Sequence, residues 1–352
     1  MSHPYRKQPS KAFWSRAVAA NWRPVDTVTP AGPLLRATDK IVSLGSCFAA
    51  NLVPYLRHDG FDYVVTEPRH PAFGGTPPDN YAYDKFSAAY GNIYTARQFR
   101  QLLERALGRF QPQEDRWHAG EEIIDPFRPG LSCRPRSDSE FDVLTRHHLA
   151  CVKSAFETAT VVIFTLGLTE AWCSTIDGAV FPACPGTVAG SFDPDKHVFH
   201  NFSVAEIVED LTIIHRILQA IRPGMRLILT VSPVPLVATA TGRHVLVASA
   251  YSKSVLRVAS DEVERQCTEM AYFPAYELVT GPQAPDDFFE ADRRNVSRKG
   301  IDHVMAAFLA CCETPPHRPA IDEGTRKPSS EGLSRLSQAV GTVECEELAA
   351  ER

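Results

Sequence analysis

Two side chains capable of covalent chemistry stand next to each other near the first regular pattern of the chain. Ser46 and Cys47 lie in the stretch KIVSLGSCFAANLVPYL, residues 40–56, directly after Gly45. The residues before Gly45 are apolar and typical of a strand, whereas those after Cys47 are typical of a helix. Serine and cysteine both form covalent acyl intermediates in enzymes. The pair is therefore a candidate nucleophile, and packing without chemistry is the alternative.

A position at the start of a helix favours chemistry at this turn. The positive end of the helix dipole stabilises a thiolate and so lowers the pKa of a cysteine thiol. Backbone N–H groups of the same turn can stabilise an oxyanion. The alternative is that Cys47 only packs, because cysteine is among the residue types that are most often buried.

The elements that must position this turn alternate between strand and helix patterns. The strand patterns cover residues 41–45, 62–66, 160–166, 226–231 and 271–279. The helical patterns cover residues 47–58, 95–110, 141–159, 203–223, 248–267 and 297–312. Strands separated by helices predict an α/β fold with three layers, α/β/α, around a doubly wound parallel sheet of about five strands. Ligands of such sheets collect at the carboxyl ends of the strands, where Gly45, Gly167 and Ser232 begin the following loops.

Composition argues against several classes of protein. The chain has 352 residues, of which 44% are hydrophobic, so it can bury a sizeable core. A net charge of −5 gives no electrostatic footprint for binding nucleic acid. The nine cysteines are irregularly spaced and include no CxxC pair, which argues against a disulfide framework and against a structural zinc site. We expect no metal and no cofactor.

The ends of the chain and its organisation lead to further expectations. The basic N-terminal stretch lacks the apolar core of a secretory signal, and the longest near-apolar run, VVIFTLGL, is too short to span a bilayer. We therefore expect a cytoplasmic protein with no membrane span. We expect an N-terminal arm over residues 1–37, one domain over 38–313 and a loose tail over 314–352. The Pro-, Gly- and Tyr-rich stretch at 67–95 is typical of a long functional loop.

Several stretches resemble the GSCFA family. SLGSCFA, residues 43–49, matches the signature from which that family takes its name. Similar blocks are YGNIYTARQF, FTLGLTEAW, FPACPG, HNFSVAEI, LTVSPVPLVAT, YSKSVLR and YFPAYEL, and together they cover about residues 40–312. The family is placed with the SGNH/GDSL hydrolases, so the resemblance implies an SGNH-hydrolase-like fold and acyl-ester hydrolysis.

The resemblance implies which residue of the turn is the nucleophile. The first superfamily block is Gly-Asp-Ser-Leu, in which the serine attacks. Aligned on Gly45, the block places Cys47 at the position of the nucleophile and Ser46 at that of the aspartate. Certain capsular-polysaccharide acetyltransferase-like proteins carry a similar Gly-Asn-Cys-Gln turn, which also favours cysteine. A shift by one residue would make Ser46 the nucleophile instead.

The later superfamily blocks imply residues that bind the substrate and its oxyanion. The second block supplies a glycine from a loop, and the third block has the pattern Gly-x-Asn-Asp. Here a threonine hydroxyl replaces the amide donor of the third block, and a hydroxyl can still donate. Turn geometry alone is the alternative for the glycines. The residues implied are Gly45, Gly91, Asn92, Gly167, Thr169 and Glu170.

The last superfamily block is altered in this chain. The block is Asp-x-x-His, in which the histidine is the general base and the aspartate orients it. Here Asp292 is followed three residues later by Asn295, and an amide cannot accept a proton at neutral pH. Three outcomes follow: a thiolate at Cys47 needs no strong base, another histidine such as His200 or His244 serves, or catalysis is lost.

A small group of basic residues surrounds the altered block. It could receive an anionic substrate or a phosphate of coenzyme A, and a solvated helix start is the alternative. The residues are Arg293, Arg294, Arg298 and Lys299.

The resemblance, together with the Gly-Ser-Cys turn, therefore implies an acyl-ester hydrolase of the SGNH/GDSL type that acts on an acylated carbohydrate or another small ester. An acyltransferase that modifies a polysaccharide or glycolipid, with acyl-CoA as a possible donor, is one alternative. A non-catalytic carbohydrate-binding protein is the other, and Asn295 supports it. The retained Gly-Ser-Cys turn argues against that second alternative, because a binding protein has little use for a thiol at a helix start.

Overall fold

A five-stranded parallel sheet forms the centre of the molecule. The computed structural model describes residues 3–20, 22–28, 32–68, 83, 85–131, 134–316 and 349. Within the described residues the strands are β1 (Lys40–Leu44), β2 (Asp62–Tyr63), β3 (Trp117–Ala119), β4 (Glu122–Ile124), β5 (Val161–Leu166), β6 (Glu170–Ser174), β7 (Val180–Phe181), β8 (His197–Asn201), β9 (Arg226–Val231) and β10 (Met270–Phe273). The helices are α1 (Pro24–Thr27), α2 (Cys47–Ala50), α3 (Leu52–His58), α4 (Ala96–Ala106), α5 (Asp138–Thr158), α6 (Val204–Ile221), α7 (Val245–Gln266), α8 (Ala275–Thr280) and α9 (Arg298–Leu309).

The order of strands in the central sheet fixes where a ligand can bind. The order is β2-β1-β5-β9-β10, and every neighbouring pair is parallel. Numbered along the chain, these five strands follow the doubly wound order 2-1-3-4-5, which reverses direction between β1 and β5. The crevice at such a reversal is where open α/β sheets bind their ligands. The predicted α/β fold with a parallel sheet of five strands is confirmed.

Two hydrophobic clusters cover the two faces of this sheet. Alternate side chains of β1 and β5 point to opposite faces, since Val42 and Phe164 belong to one cluster and Ile41 and Ile163 to the other. Helices α4 to α7 cover the first face, whereas α3, α8 and α9 cover the second. Helix α2 lies at the edge and contributes Ala49 and Ala50 to the first cluster and Phe48 to the second. Every residue of β5 is buried, as expected for a central parallel strand.

Prolines explain two differences from the sequence patterns. The helical pattern at 47–58 is divided at Asn51 into α2 and α3, because Pro54 has no N–H to donate to the preceding turn and is tolerated only in the first turn of a new helix. The strand pattern at 271–279 ends at Phe273, and Pro274 precedes the short helix α8. The loop at 167–202 also contains a small antiparallel sheet of three strands, in the order β7-β6-β8, which the sequence did not predict.

The expected N-terminal arm is shorter in the structure than residues 1–37. Leu34 and Leu35 are buried in the second cluster, and the Leu34 N–H donates to the Cys311 carbonyl. The Arg226 guanidinium pairs with Asp39, which fixes the same segment to β9. The segment before β1 is therefore part of the folded domain. Of the tail expected over 314–352, only residues 314–316 and 349 lie among the described residues.

None of the helices in the described part of the chain is both long enough and apolar enough to cross a bilayer.

Candidate active site

The turn between β1 and α2 depends on a glycine. Gly45 has a positive φ of 150°, a backbone conformation that other residues rarely adopt. A Cβ atom at this position would lie 2.7 Å from the Cβ of Ala49 and 2.9 Å from the carbonyl oxygen of Thr165. The Gly45 carbonyl accepts a hydrogen bond of 2.8 Å from the Ile93 N–H. The backbone can thus pass directly from the end of β1 into a helix only with glycine here.

Ser46 and Cys47 occupy different positions in this turn. Ser46 is the N-cap of α2, and its carbonyl accepts the Ala49 N–H at 2.9 Å. Its side chain makes no capping hydrogen bond, and the residue is only 4% exposed. Cys47 is the first residue of the helix and is half-buried. Of the two candidate nucleophiles, Cys47 is therefore the more accessible to a substrate.

Both residues line a small cleft at the carboxyl ends of β1, β5 and β9. Its cavity volume is about 10 Å³, roughly the room that one water molecule needs. It lies at the β1–β5 reversal of the sheet, where the 2-1-3-4-5 order predicts a ligand. The other lining residues are Tyr94, Gly167, Leu168, Ser232, Val234, Pro235, Leu236 and Arg294.

The loop after β5 forms one wall of the cleft. The Gly167 N–H donates to the Tyr94 carbonyl at 2.8 Å, and a Cβ on Gly167 would lie 3.1 Å from that same oxygen. The ammonium group of Lys253, a residue only 3% exposed on α7, donates to the Gly167 carbonyl. The peptide groups on both sides of Gly167 are therefore held in place from two directions.

Thr169 and Glu170 do not reach the cleft. Thr169 is fully buried, and its hydroxyl donates to Asn201 Oδ1 at 2.7 Å rather than toward Cys47. The Glu170 carboxylate accepts hydrogen bonds from the Thr239 hydroxyl and the Ala240 N–H, and burial raises the pKa of this carboxyl group. Thr169 is therefore bonded to β8, and Glu170 is bonded to the loop at 239–240.

Gly91 and Asn92 also lie away from the cleft lining. Gly91 has a φ of 69°, which matches the turn-geometry alternative. Asn92 is 2% exposed, and its Oδ1 accepts a hydrogen bond of 3.2 Å from the Lys85 ammonium group. Tyr94, two residues further along the same loop, lines the cleft instead.

Asp292 and Asn295 are hydrogen-bonded to each other. Asp292 Oδ1 accepts the backbone N–H groups of Arg294 and Asn295, each at 2.9 Å. The Asn295 side-chain amide donates to Asp292 Oδ2 at 2.6 Å. Burial opposes ionisation of Asp292, but these hydrogen bonds hold the pKa of its carboxyl group below the usual value. Both residues are exposed, and Arg294 between them lines the cleft.

The structure does not bring the two candidate histidines to Cys47. His244 is the exposed N-cap of α7, and its Nδ1 accepts the Leu246 N–H at 3.2 Å. His200 lies on β8, where its Nε2 is 2.7 Å from Glu206 Oε1. Among the described residues, no histidine lines the cleft. The described residues also contain no cluster of three side chains that could hold a metal ion.

Comparisons with known proteins assign the chain to a family. A family model described as the GSCFA family matches residues 40–308. The chain belongs to the GSCFA family. A search of curated proteins finds no match. Among solved structures, the chain is similar to a carbohydrate esterase family 3 protein from Talaromyces cellulolyticus, with 11% sequence identity over 88% of this chain and 100% of that chain. The TM-score of 0.33 is too low for this likeness to support an argument about the GSCFA chain.

Each residue of the GSCFA signature has a physical role at the turn. Gly45 permits the close approach to β5, and Ala49 leaves the space that this approach needs. Ser46 occupies the N-cap position, where its carbonyl accepts the Ala49 N–H, and Cys47 lines the cleft. Phe48 is 4% exposed and packs into the second core cluster. The signature thus couples a tight strand-to-helix turn to an accessible thiol.

Three residues in or behind the cleft wall were not assigned a role from the sequence of this GSCFA chain. Tyr94 and Ser232 line the cleft, and Lys253 holds its wall from behind. Ser232 follows β9 directly, and that position at a strand end was the available signal. For Lys253, the signal was a lysine among the small and apolar residues of a helical pattern, which only the fold places behind Gly167.

Proposed function

We propose that this GSCFA protein is an acyl-ester hydrolase of the SGNH/GDSL type with Cys47 as its nucleophile. One observation carries the proposal: the half-buried Cys47 side chain lines a cleft at the reversal point of the sheet. The Gly-Ser-Cys turn, the sheet order and the family signature together support the superfamily assignment. The resemblance implies an acylated carbohydrate or another small ester as substrate.

The reaction has two steps. Cys47 Sγ, as the thiolate, attacks the acyl carbonyl carbon, so that a carbon–sulfur bond forms and the carbonyl π electrons move to oxygen. Collapse of this tetrahedral intermediate breaks the bond to the leaving group, which takes a proton from water. A second water molecule then attacks the thioester, releases the acid and regenerates the thiol. Transfer to a sugar hydroxyl would differ only in that this hydroxyl replaces water in the second step.

Positive charge in the cleft supports both steps. Helix α2 has only four residues, so its dipole contributes less than that of a long helix. The Arg294 guanidinium carries a full charge on the wall of the same cleft. We propose that this group and the Cys47 N–H stabilise the oxyanion, in place of the Gly91, Asn92 and Thr169 donors that the resemblance implied.

The proton donors available in the cleft determine which leaving groups depart quickly. The described lining residues offer hydroxyl groups at Ser46, Tyr94 and Ser232, but neither an imidazole nor a carboxyl group, as proton donors. An alkoxide leaves slowly without an acid, whereas a thiolate or phenolate leaves readily because its conjugate acid has a pKa of about 8.5 or 10. We therefore expect thioesters and aryl esters to react much faster than alkyl esters.

A chromogenic aryl ester tests the proposal. Hydrolysis of p-nitrophenyl acetate is measured for the wild type, Cys47→Ala and Ser46→Ala. Cys184→Ala is the matched control, since Cys184 is also half-buried but lies outside the cleft lining. We expect Cys47→Ala to lose roughly 1,000-fold in kcat/KM and Cys184→Ala to retain wild-type activity. Acyl-Cys47 should also be detectable by mass spectrometry after rapid quenching.

Two results would change this conclusion. Loss of activity in Ser46→Ala alone would make Ser46 the nucleophile. Equal slow rates in all four proteins would favour the non-catalytic carbohydrate-binding protein, which the exposed pair of Asp292 and Asn295 supports.

A further inference from the structure

We infer that this GSCFA chain binds a second copy of itself through the exposed face of α7, with the two α7 helices antiparallel. The inference goes beyond the proposed function and does not depend on it, because it concerns the side of α7 that faces away from the cleft. Three features of α7 support it: the apolar side chains on its outer face, the hydrogen-bonding side chains on its inner face and the opposite charges at its two ends.

The outer face of α7 is apolar over more than three turns. Leu246 is 71% exposed, and Val247 and Val258 are each 53% exposed. Four of the twelve large apolar side chains that are exposed in the described residues lie on this one face. Scattered exposed apolar residues need no partner, whereas a continuous apolar patch indicates one. The α7 face comprises Leu246, Val247, Ala250, Tyr251, Ser254 and Val258.

These positions form one stripe along the helix. At 3.6 residues per turn they occupy less than half of the helix circumference, and at 1.5 Å per residue they extend over about 18 Å. A helix that meets only solvent on its outer side normally carries polar side chains there. The α7 face therefore has the composition of a contact surface.

The inner side of the same helix shows where its buried polar groups are used. Ser252 and Lys253 are both buried, and both bond to the loop after β5. The Ser252 hydroxyl accepts the Thr169 N–H at 3.0 Å, and the Lys253 ammonium group donates to the Gly167 carbonyl. The inner side thus fixes α7 to the fold, which leaves the α7 face as a separate surface.

Opposite charges stand at the two ends of the α7 face. Arg243 is exposed directly before the N-cap of α7, and Glu262 is exposed near the C-terminal end. Among the described residues, neither side chain has an ion-pair partner. Asp261, the neighbour of Glu262, is paired with Arg265 on the same helix. The face is therefore positive at one end, apolar in the middle and negative at the other end.

An antiparallel pair of α7 helices matches this pattern to itself. A two-fold axis at the level of Ser252 would place Leu246 of each copy opposite Val258 of the other. The same axis would place Arg243 of each copy close to Glu262 of the other. A closed dimer uses the same patch on both subunits, which this arrangement satisfies. A parallel pair would instead bring like charges together, which is unfavourable.

The size of the face determines how strong the association can be. Specific and stable interfaces bury about 1,200–2,000 Å² in total. A single helix face about 18 Å long on each copy is small beside this range. We therefore expect a reversible dimer whose fraction rises with protein concentration.

Sedimentation equilibrium of the full chain over a range of concentrations tests the inference. The mass of the wild type should rise toward twice the 38.9 kDa of one chain. Val258→Glu should raise the dissociation constant of the dimer by roughly tenfold or more, because the added carboxylate would lose water against an apolar surface. Val143→Glu is the matched control, since Val143 is 58% exposed on another helix, α5. Its dissociation constant should equal that of the wild type.

Reversal of the terminal charges tests the antiparallel arrangement without altering the apolar side chains. Arg243→Glu alone and Glu262→Arg alone each place like charges opposite one another, so each should raise the dissociation constant roughly three- to tenfold. The double variant restores opposite charges and should dimerise as the wild type does. Both sites are exposed and polar, so these variants keep the test decisive even if Val258→Glu fails to fold.

Three results would overturn the inference. A wild type that stays monomeric at every concentration would leave the α7 face to a partner of another kind. Equal weakening by Val258→Glu and Val143→Glu would place the contact between copies elsewhere. A double charge variant that dimerises no better than the single variants would refute the antiparallel arrangement.

Discussion

Asn295 occupies the position at which the resemblance to SGNH/GDSL hydrolases would place a histidine base, and its surroundings keep it away from Cys47. The amide donates to Asp292 Oδ2, and the side chain is exposed on the loop rather than directed into the cleft. Proton transfer requires an acceptor within hydrogen-bond reach of the proton that it removes. The position of residue 295, and not only its chemistry, therefore separates it from Cys47.

A histidine at position 295 should consequently fail to restore a base. We expect Asn295→His to change kcat/KM for p-nitrophenyl acetate by less than about twofold, because the imidazole would still point toward Asp292. Arg293→His, on the same loop, is the control for adding an imidazole nearby. An increase of tenfold or more in Asn295→His alone would show that the loop does bring this position to the sulfur atom.

His148 makes stability depend on pH far from the cleft. Burial, assisted by the nearby charge of Arg128, lowers the pKa of His148 to about 4. The neutral imidazole lies with Nδ1 2.7 Å from Glu67 Oε2, and Asp125 also faces it. In the unfolded chain a histidine has a pKa of about 6.5. Between these two values the unfolded chain binds a proton that the folded protein does not.

The free energy of unfolding should therefore fall as the pH is lowered from 6.5 toward 4. The slope from His148 alone is about 1.4 kcal/mol per pH unit, and its contribution is fully present above pH 6.5. Urea denaturation at pH 7 and pH 5 measures the difference. We expect the free energy of unfolding of His148→Gln to change less between pH 7 and pH 5 than that of the wild type. His118→Gln, a substitution at an exposed histidine, should change as much as the wild type does. Equal pH dependence in all three proteins would contradict the assignment.

The proposed attack by Cys47 depends on the geometry of one element, the turn between β1 and α2. Gly45→Ala places a methyl group against Ala49 and Thr165 and demands a positive φ. Gly242→Ala is the matched control, because Gly242 has a φ of 73° but no atom within 4 Å of a Cβ.

We expect Gly45→Ala to cost about 3 kcal/mol or more of unfolding free energy and to abolish activity, and Gly242→Ala to cost about 1 kcal/mol. Chemical denaturation measures both. Equal costs in the two variants would show that the turn can rearrange.

The sequence predicted the central elements well because their signals are local. The apolar runs of β5 and β9 and the helical pattern at 203–223 are each readable within a few residues, and all three elements appear in the structure. The short strands β6 to β8 were missed because their pairing is with one another and leaves no apolar run. Their antiparallel pairs join residues far apart in the sequence, such as Glu170 and Asn201, and a pattern within a few residues does not show such pairing.

The candidate site was predicted less completely for the same physical reason. Ser46 and Cys47 follow β1 after the single residue Gly45, so the rule on strand ends located them. Thr169 also follows a strand, yet its side chain turns inward to Asn201. Arg294 reaches the cleft only because a loop more than 240 residues from Cys47 folds over it. Direction of a side chain and closure of a distant loop depend on tertiary packing, which one sequence does not reveal.

At the scale of the whole molecule, the segment before β1 joins the two ends of the folded domain. Leu35 has no exposed surface and packs in the second core cluster, and its carbonyl accepts the Glu313 N–H at 2.9 Å. The Arg226 guanidinium donates to the Leu34 carbonyl and pairs with Asp39. These contacts connect the N-terminal segment, β9 and the end of α9, so the domain should need residues that precede the matched family region.

Leu35→Ala tests this dependence. The substitution removes a fully buried side chain, and such a change costs about 2–5 kcal/mol of unfolding free energy. Val25→Ala, at a position 38% exposed on the same N-terminal side, should cost less than about 0.5 kcal/mol. Urea denaturation measures both. If Leu35→Ala were as mild as Val25→Ala, the segment would be an arm that lies on the domain. The expected large loss would instead show that residues 34–39 belong to the second core cluster, which also contains residues of α9. Helix α9 directly follows the loop that carries Arg294.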